Sequence, residues 1–429
     1  MSVILRGGKI VDIEGERSLD VEIDDDGKIT SVGSTSSADQ ELDCSGCIIT
    51  PGLVDLHTHL REPGHEEAET IDSGARSGAL GGYTALVAMP NTEPAVDCVA
   101  VVEQVRSLGE LSVCEVVPSA AMTIGRQGLQ MAPIGELANA GVKIFTDDGT
   151  GVQNPQIMRQ LMEYSVGLGL RLGREIVLAQ HCEVKSLSEG GYMHEGAWSS
   201  RLGIPGQPAE AEELMVMRDI ALSRMTGARI HFQHLSTETS VSMVREAKAV
   251  GLPVTAEATT HHFTLTDAAC SCYDPVFKVH PPLRSDSDVA AVRSGLADGT
   301  IDAIATDHAP HTSSDKELPF DEAPPGMLGL ETALSLSLEY SGLDLVEILA
   351  LMSWKPAMIA GLSDRQGTSV TPGHLANLCV FDPDITWTVS GSKMASRSVN
   401  TPYEGWNLRG KVRHTISAGY PVVIDGEIC

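Results

Sequence analysis

Residues 54–64 read VDLHTHLREPG. A short apolar run carries two histidines one residue apart, then an arginine and a glutamate. Side chains alternate along a strand, so in a strand His57 and His59 point the same way. Two imidazoles aimed at one point from a strand end are placed as metal ligands are. The other strand ends should then supply the remaining ligands.

Working outward, seven more strand-like runs follow: YTALVAM, SVCEVVPS, VKIFT, EIVLAQH, ARIHFQH, LPVTAE and IDAIATD. Helix-like segments separate them, the pattern of βα units. PQIMRQLMEYSVGL puts Ile157, Leu161 and Tyr164 on one predicted helical face, and VSMVREAKAVG ends at Gly251, a stop signal. Eight βα units over roughly 300 residues predict a (β/α)8 TIM barrel at 51–362, with its site at the C-terminal strand ends. Residues 1–50 and 363–429 read as short strands and turns, predicting an α/β protein whose small β-domain is built from both termini.

The length of 429 residues exceeds what one hydrophobic core supports, which agrees with that division. The composition is that of a globular protein, with 42% hydrophobic and 21% charged residues. With 30 basic and 58 acidic residues, the net charge of −28 repels nucleic acid and anionic membranes. An anionic substrate would have to be drawn by local positive charge. The opening MSVILRGGKI has too short an apolar run for a signal peptide, and no stretch is apolar enough to span a membrane. The nine cysteines, odd in number, read as reduced thiols, and a cytoplasmic location is expected.

Polar residues sort themselves by strand end. His57 and His59 follow the first run, Asn91 the second, Asp147 and Asp148 the fourth, His181 the fifth, His234 the sixth and Asp307 the eighth. Four histidines and two carboxylates suffice for two divalent ions. Nitrogen and oxygen ligands without thiolate suit zinc better than manganese, cobalt or iron. A carboxylate can bridge two such ions about 3.5–4 Å apart, and the pair can share a hydroxide that is nucleophilic at neutral pH.

The motifs DLHTHLREPG, AMPNTEP, FTDDG, HCE, GIPGQP, HLST, PPLR and IDAIATDHAPH together resemble bacterial class I dihydroorotases of the amidohydrolase superfamily. The likeness runs from GGKIVD near the start to VSGSKMASRSVNTPYEGW near the end. It implies that His57, His59 and Asp307 hold one Zn2+, that His181 and His234 hold a second, and that Asp148 bridges them. Asp307 is then also the proton shuttle. His59, Arg61 and Asn91 border the substrate, the last two holding its carboxylate; a guanidinium fork fits a planar carboxylate. His311, Pro325 and Gly326 match a substrate-covering loop.

Two residues depart from the pattern. His280 stands where the family usually has Asn, and is expected to bind substrate and to become charged near neutral pH. Pro325 stands where relatives often have an aromatic residue. Lys143 is the alternative bridge, as a carboxylated lysine, with Asp148 favoured. His261 and His262 read as supporting or core residues, Cys182 as a small buried residue, Asp147 as a loop anchor, and Glu62 and His65 as surface residues.

The implied activity is the reversible cyclisation of N-carbamoyl-L-aspartate to (S)-dihydroorotate in de novo pyrimidine biosynthesis. The alternatives are another cyclic amidase (allantoinase or hydantoinase), a non-catalytic partner of aspartate carbamoyltransferase, and a plain metal-binding protein. The expected partners are the small-molecule substrate, further copies of the chain and aspartate carbamoyltransferase, with no nucleic acid and no membrane.

Overall fold

The computed structural model describes residues 2–429. Each of the eight runs contains a strand: β1 (Leu53–Thr58), β2 (Tyr83–Ala88), β3 (Glu115–Pro118), β4 (Ile144–Thr146), β5 (Val177–Gln180), β6 (Ile230–Phe232), β7 (Val254–Thr259) and β8 (Ala303–Ala305). All pairings among them are parallel, β1–β2–β3 in one set and β4 to β8 in sequence order in the other. Parallel bridges link Ala120, just past β3, to Phe145 of β4, and Thr58 of β1 to His308, just past β8. Every residue of β1 and β2 is buried. That explains their near-continuous apolar runs, since a strand covered on both faces has no solvent side to mark with polar residues.

The helix Pro155–Leu172 starts where the Asn154 side chain accepts from the backbone N–H of Gln156 at 2.9 Å, with Pro155 preset for the first turn. It stops at Gly173, whose φ of 64° favours glycine. Its buried face matches the predicted one only in part: Leu161 is buried, but Tyr164 is not. Met158, Leu161, Met162, Ser165 and Leu168 face the core, while Tyr164 is 44% exposed. The two methionines, spaced 3 and 4 residues from core neighbours, set the stripe, and Ile157 and Tyr164 fall on its edges. The helix Glu238–Ala249 ends as predicted, with Gly251 at φ 78°.

Both termini share one seven-stranded sheet. In it, Leu378–Phe381 pairs antiparallel with Ile48–Pro51, which pairs in turn with Lys9–Asp12. A four-stranded sheet from residues 3–43 packs with it around Val3, Leu5, Ile10, Val21, Ile49, Leu378, Val380 and Ile416, apart from the clusters around the eight parallel strands. Gly52 alone separates Ile48–Pro51 from β1. A side chain there would place its Cβ 2.0 Å from Thr84 Oγ1, so only glycine lets the chain pass directly from one sheet to the other.

The cysteines are all free. Cys44 and Cys47 form a Cys-Ser-Gly-Cys turn, but both are buried, and burial pushes the Cys44 thiol up to about 12. This is a packing pair rather than a reactive one. Among the described residues, no helix is long and apolar enough to cross a membrane.

Candidate metal centre

The C-terminal ends of β1, β4, β5, β6 and β8 bring six side chains together. Asp148 is at the centre. Its Oδ1 lies 3.2 Å from His57 Nε2, 3.5 Å from His181 Nδ1 and 3.7 Å from His234 Nε2, and its Oδ2 lies 3.6 Å from His59 Nε2. Asp307 Oδ1 sits 2.9 Å from His59 Nε2 and 3.6 Å from His57 Nε2. His181 and His234 face each other ring nitrogen to ring nitrogen at 2.9 Å. All six are buried. Burial alone pushes both carboxyls up, but the surrounding histidines, His57 foremost, bring Asp148 and Asp307 well below the usual carboxylate range. Both acids are therefore anionic at neutral pH and suited to hold a cation.

This donor set fits divalent metal. His57 Nε2 and Asp148 Oδ1 are buried and lack a hydrogen-bond partner despite their proximity, and His234 Nδ1 is likewise unpartnered. His57, Asp148 and His234, and separately His57, His59 and Asp307, each bring ligand atoms within 4.8 Å of one another. Buried polar atoms without partners are costly, and bound cations would satisfy those that converge here.

The same mouth holds a cavity of about 150 Å3 lined by His59, Arg61, Asn91, His280, His311, Pro325 and Gly326, together with Asp148, His181, His234 and Asp307. Asn91 Oδ1 accepts from His59 Nδ1 at 2.9 Å, and its Nδ2 donates to Asp148 Oδ2 at 3.4 Å. Arg61 donates from Nε to the Pro310 carbonyl at 3.1 Å, and among the described residues no carboxylate forms an ion pair with it. His311 reaches the Pro325 carbonyl at 2.8 Å, fastening the loop across the mouth.

A dihydro-orotase-like family profile matches residues 46–240. A dihydroorotase from Pelotomaculum thermopropionicum is 46% identical over 436 residues, covering 100% of both chains. One from Mycobacterium tuberculosis is 45% identical over 438 residues, again covering 100% of both. The chain belongs to the dihydroorotase family. A solved structure of L-hydantoinase (dihydropyrimidinase) from Arthrobacter aurescens shares the fold, with a TM-score of 0.88 at 24% identity over 100% of this chain and 97% of that one.

Lys143 lies at the opposite end of β4 from Asp148. It precedes β4, whereas Asp148 follows it, and its ammonium donates to the carbonyl of Gly361. His280 differs from its expected charge state. It lines the cavity, but burial pushes it down to about 4, against the opposing pull of Glu183, so the ring is neutral near pH 7. Asp147 anchors a loop by accepting from the backbone N–H of Met122 at 2.8 Å and Thr123 at 3.0 Å. His262 is a supporting residue, bonded to Thr259 Oγ1 and the Pro281 carbonyl. Glu62 is more than a surface residue, since its carboxylate accepts from the N–H of Ile71 at the start of a helix.

Three supporting groups escaped the sequence reading. Glu257 of β7 holds His57 Nδ1 at 2.8 Å and His231 Nε2 at 3.1 Å. A carboxylate behind a ligand histidine sets its tautomer and raises its basicity. Asp55 accepts from the N–H of His57 at 3.1 Å and of Thr306 at 3.2 Å, tying the ends of β1 and β8 together. Asn400 accepts from the N–H of His311 at 3.2 Å and donates to the carbonyls of Ala309 at 3.1 Å and Gly326 at 3.2 Å. The alternation rule could have found Glu257, at the end of the seventh run. Nothing local marks Asn400.

Gly326 holds the covering loop at φ 140°, and a Cβ there would meet Ala309 Cβ at 2.7 Å and His311 Nε2 at 2.9 Å. Gly326→Ala is expected to raise KM and to cost about 1–3 kcal/mol of stability through backbone strain. Thermal melts and steady-state kinetics read both, and wild-type values in each would remove the packing argument.

Proposed function

We propose that the chain catalyses (S)-dihydroorotate + H2O ⇌ N-carbamoyl-L-aspartate, with two Zn2+ held by His57, His59, Asp148, His181, His234 and Asp307. The observation that carries the substrate class is Arg61, a guanidinium without a carboxylate partner lining the same cavity as the ligand cluster. It is the counter-charge that a small ring acid needs in a protein of net charge −28.

Bound divalent ions would supply a Lewis acid for the scissile carbonyl and a water nucleophilic at neutral pH. Arg61 and Asn91 take the substrate carboxylate and orient the ring. The Asp307 carboxylate receives the water's proton and passes it to the leaving ring nitrogen; in the biosynthetic direction it takes that proton back. His311, Pro325 and Gly326 cover the ring and limit bulk water.

The architecture that supports this reading is a single closed (β/α)8 barrel. The two bridges at Ala120–Phe145 and Thr58–His308 join the two sets of parallel strands. Residues 51–362 form the barrel, and 1–50 with 363–429 the small β-domain, supported by their shared sheet. A reducing, cytoplasmic setting fits nine unpaired cysteines. Self-association and a complex with aspartate carbamoyltransferase complete the proposal. Sizing of the purified chain, alone and with that enzyme, tests both.

Zinc-loaded protein should turn over dihydroorotate in preference to allantoin and hydantoin, and metal analysis should approach two ions per chain. Preference for hydantoin would move the chain to the other cyclic amidases. Full activity at one ion or fewer would refute the two-metal account.

A further inference from the structure

Gln207 Nε2 lies 2.8 Å from His280 Nε2 and 2.9 Å from the carbonyl oxygen of Gly191. The Gly191 carbonyl can only accept, so the Gln207 amide must present its NH2 group on this side. Its second hydrogen is then aimed at His280. An amide nitrogen offers no lone pair, so His280 Nε2 has to accept, and the ring proton belongs on Nδ1. Gln207 is buried and its backbone is anchored: its carbonyl accepts from the N–H of Glu195 at 2.9 Å and from Arg284 Nη1 at 3.4 Å.

Among the described residues, His280 Nδ1 has no hydrogen-bond partner. Glu183 Oε2 is 4.0 Å away, and the Glu183 carboxylate is already engaged by Ser188 Oγ at 2.5 Å and His181 Nε2 at 3.4 Å. The ring lines the cavity, and its side chain remains 29% exposed.

We propose that Gln207 is a positioning residue that fixes His280 as the Nδ1–H tautomer, making His280 a donor-only reader of a carbonyl or carboxylate oxygen on the bound ring acid. This rests on the function proposed above and adds a specificity rule to it. An asparagine at position 280 could turn its amide and offer either a donor or an acceptor. A histidine held by Gln207 offers only a donor, so a ligand presenting an N–H at that point is turned away.

Two measurements test it, one of them independent of turnover. In the zinc-loaded enzyme with 15N-labelled histidine, the His280 signals, assigned by their loss in His280→Asn, should show a protonated Nδ1 and a bare Nε2. In Gln207→Glu the carboxylate can only accept and should draw the proton to Nε2. That variant should raise KM for dihydroorotate about tenfold, the worth of one hydrogen bond, with kcat nearly unchanged. In the His280→Asn background the same change should have little effect on KM, because Asn carries its own donor. A protonated Nε2 in the wild type would overturn the proposal, as would a KM penalty undiminished by His280→Asn. If the wild type does not turn over dihydroorotate, the proposed function fails, while the spectrum still decides the tautomer.

Discussion

Asp307→Asn is expected to retain metal at saturating zinc and to lose at least about 10²-fold in kcat, the lower range for general acid–base catalysis. Asparagine has nearly the shape of aspartate and keeps an oxygen for coordination and for the contact that His59 Nε2 makes at 2.9 Å. It cannot carry the proton. Asp307 follows β8 with φ 47°, a left-handed conformation that Asn tolerates almost as well as Asp, so the backbone should not move. Burial alone would push this carboxyl up, yet His57 and His59 hold it below the usual range, which keeps it ionised at neutral pH. Wild-type turnover in this variant, with metal content confirmed by elemental analysis, would take Asp307 out of the proton path.

Asp148→Ala should lose both metal and activity, whereas Lys143→Ala should keep most of both. Asp148 Oδ1 lies within 3.7 Å of three histidines, His57, His181 and His234. Removing it leaves buried imidazoles without their counter-charge, a cost on the order of 3–5 kcal/mol in a metal-free protein. The metal-free variant should therefore melt well below the metal-free wild type. Lys143 sits before β4 and donates to the Gly361 carbonyl, away from the ligands. The reverse pattern, with short carboxylic acids restoring a crippled Lys143→Ala, would make the lysine the bridge.

The strands and the candidate ligands were legible in the sequence because their signals are local. A strand buried on both faces writes itself as an apolar run, and a candidate ligand shows as a histidine or carboxylate at or just past its C-terminal end. His57 and His59, Asp148, His181, His234 and Asp307 all have this form, and alternation alone turns both β1 histidines inward. The helix 155–172 was also legible, but its face only in part. Ile157 and Met158 are equally apolar, and only the neighbours packed against the helix decide which of them is buried.

Residue chemistry could not say what each side chain meets across the fold. Glu257 reads as an ordinary strand glutamate until β7 places it 2.8 Å from His57, 200 positions away. Asn400 is one polar residue in a polar loop until it meets Ala309, His311 and Gly326. The sequence marks His280 as a departure from its family and suggests a charge near neutral pH. Tertiary burial removes that charge, and a hydrogen bond from Gln207, 73 residues away, assigns the proton. The sequence by itself marked the candidate residues and the strand ends that hold them, because those depend on periodicity and residue type. Only the tertiary structure decided protonation, tautomer and loop anchoring, because these depend on burial and on hydrogen-bond partners brought together from distant parts of the chain.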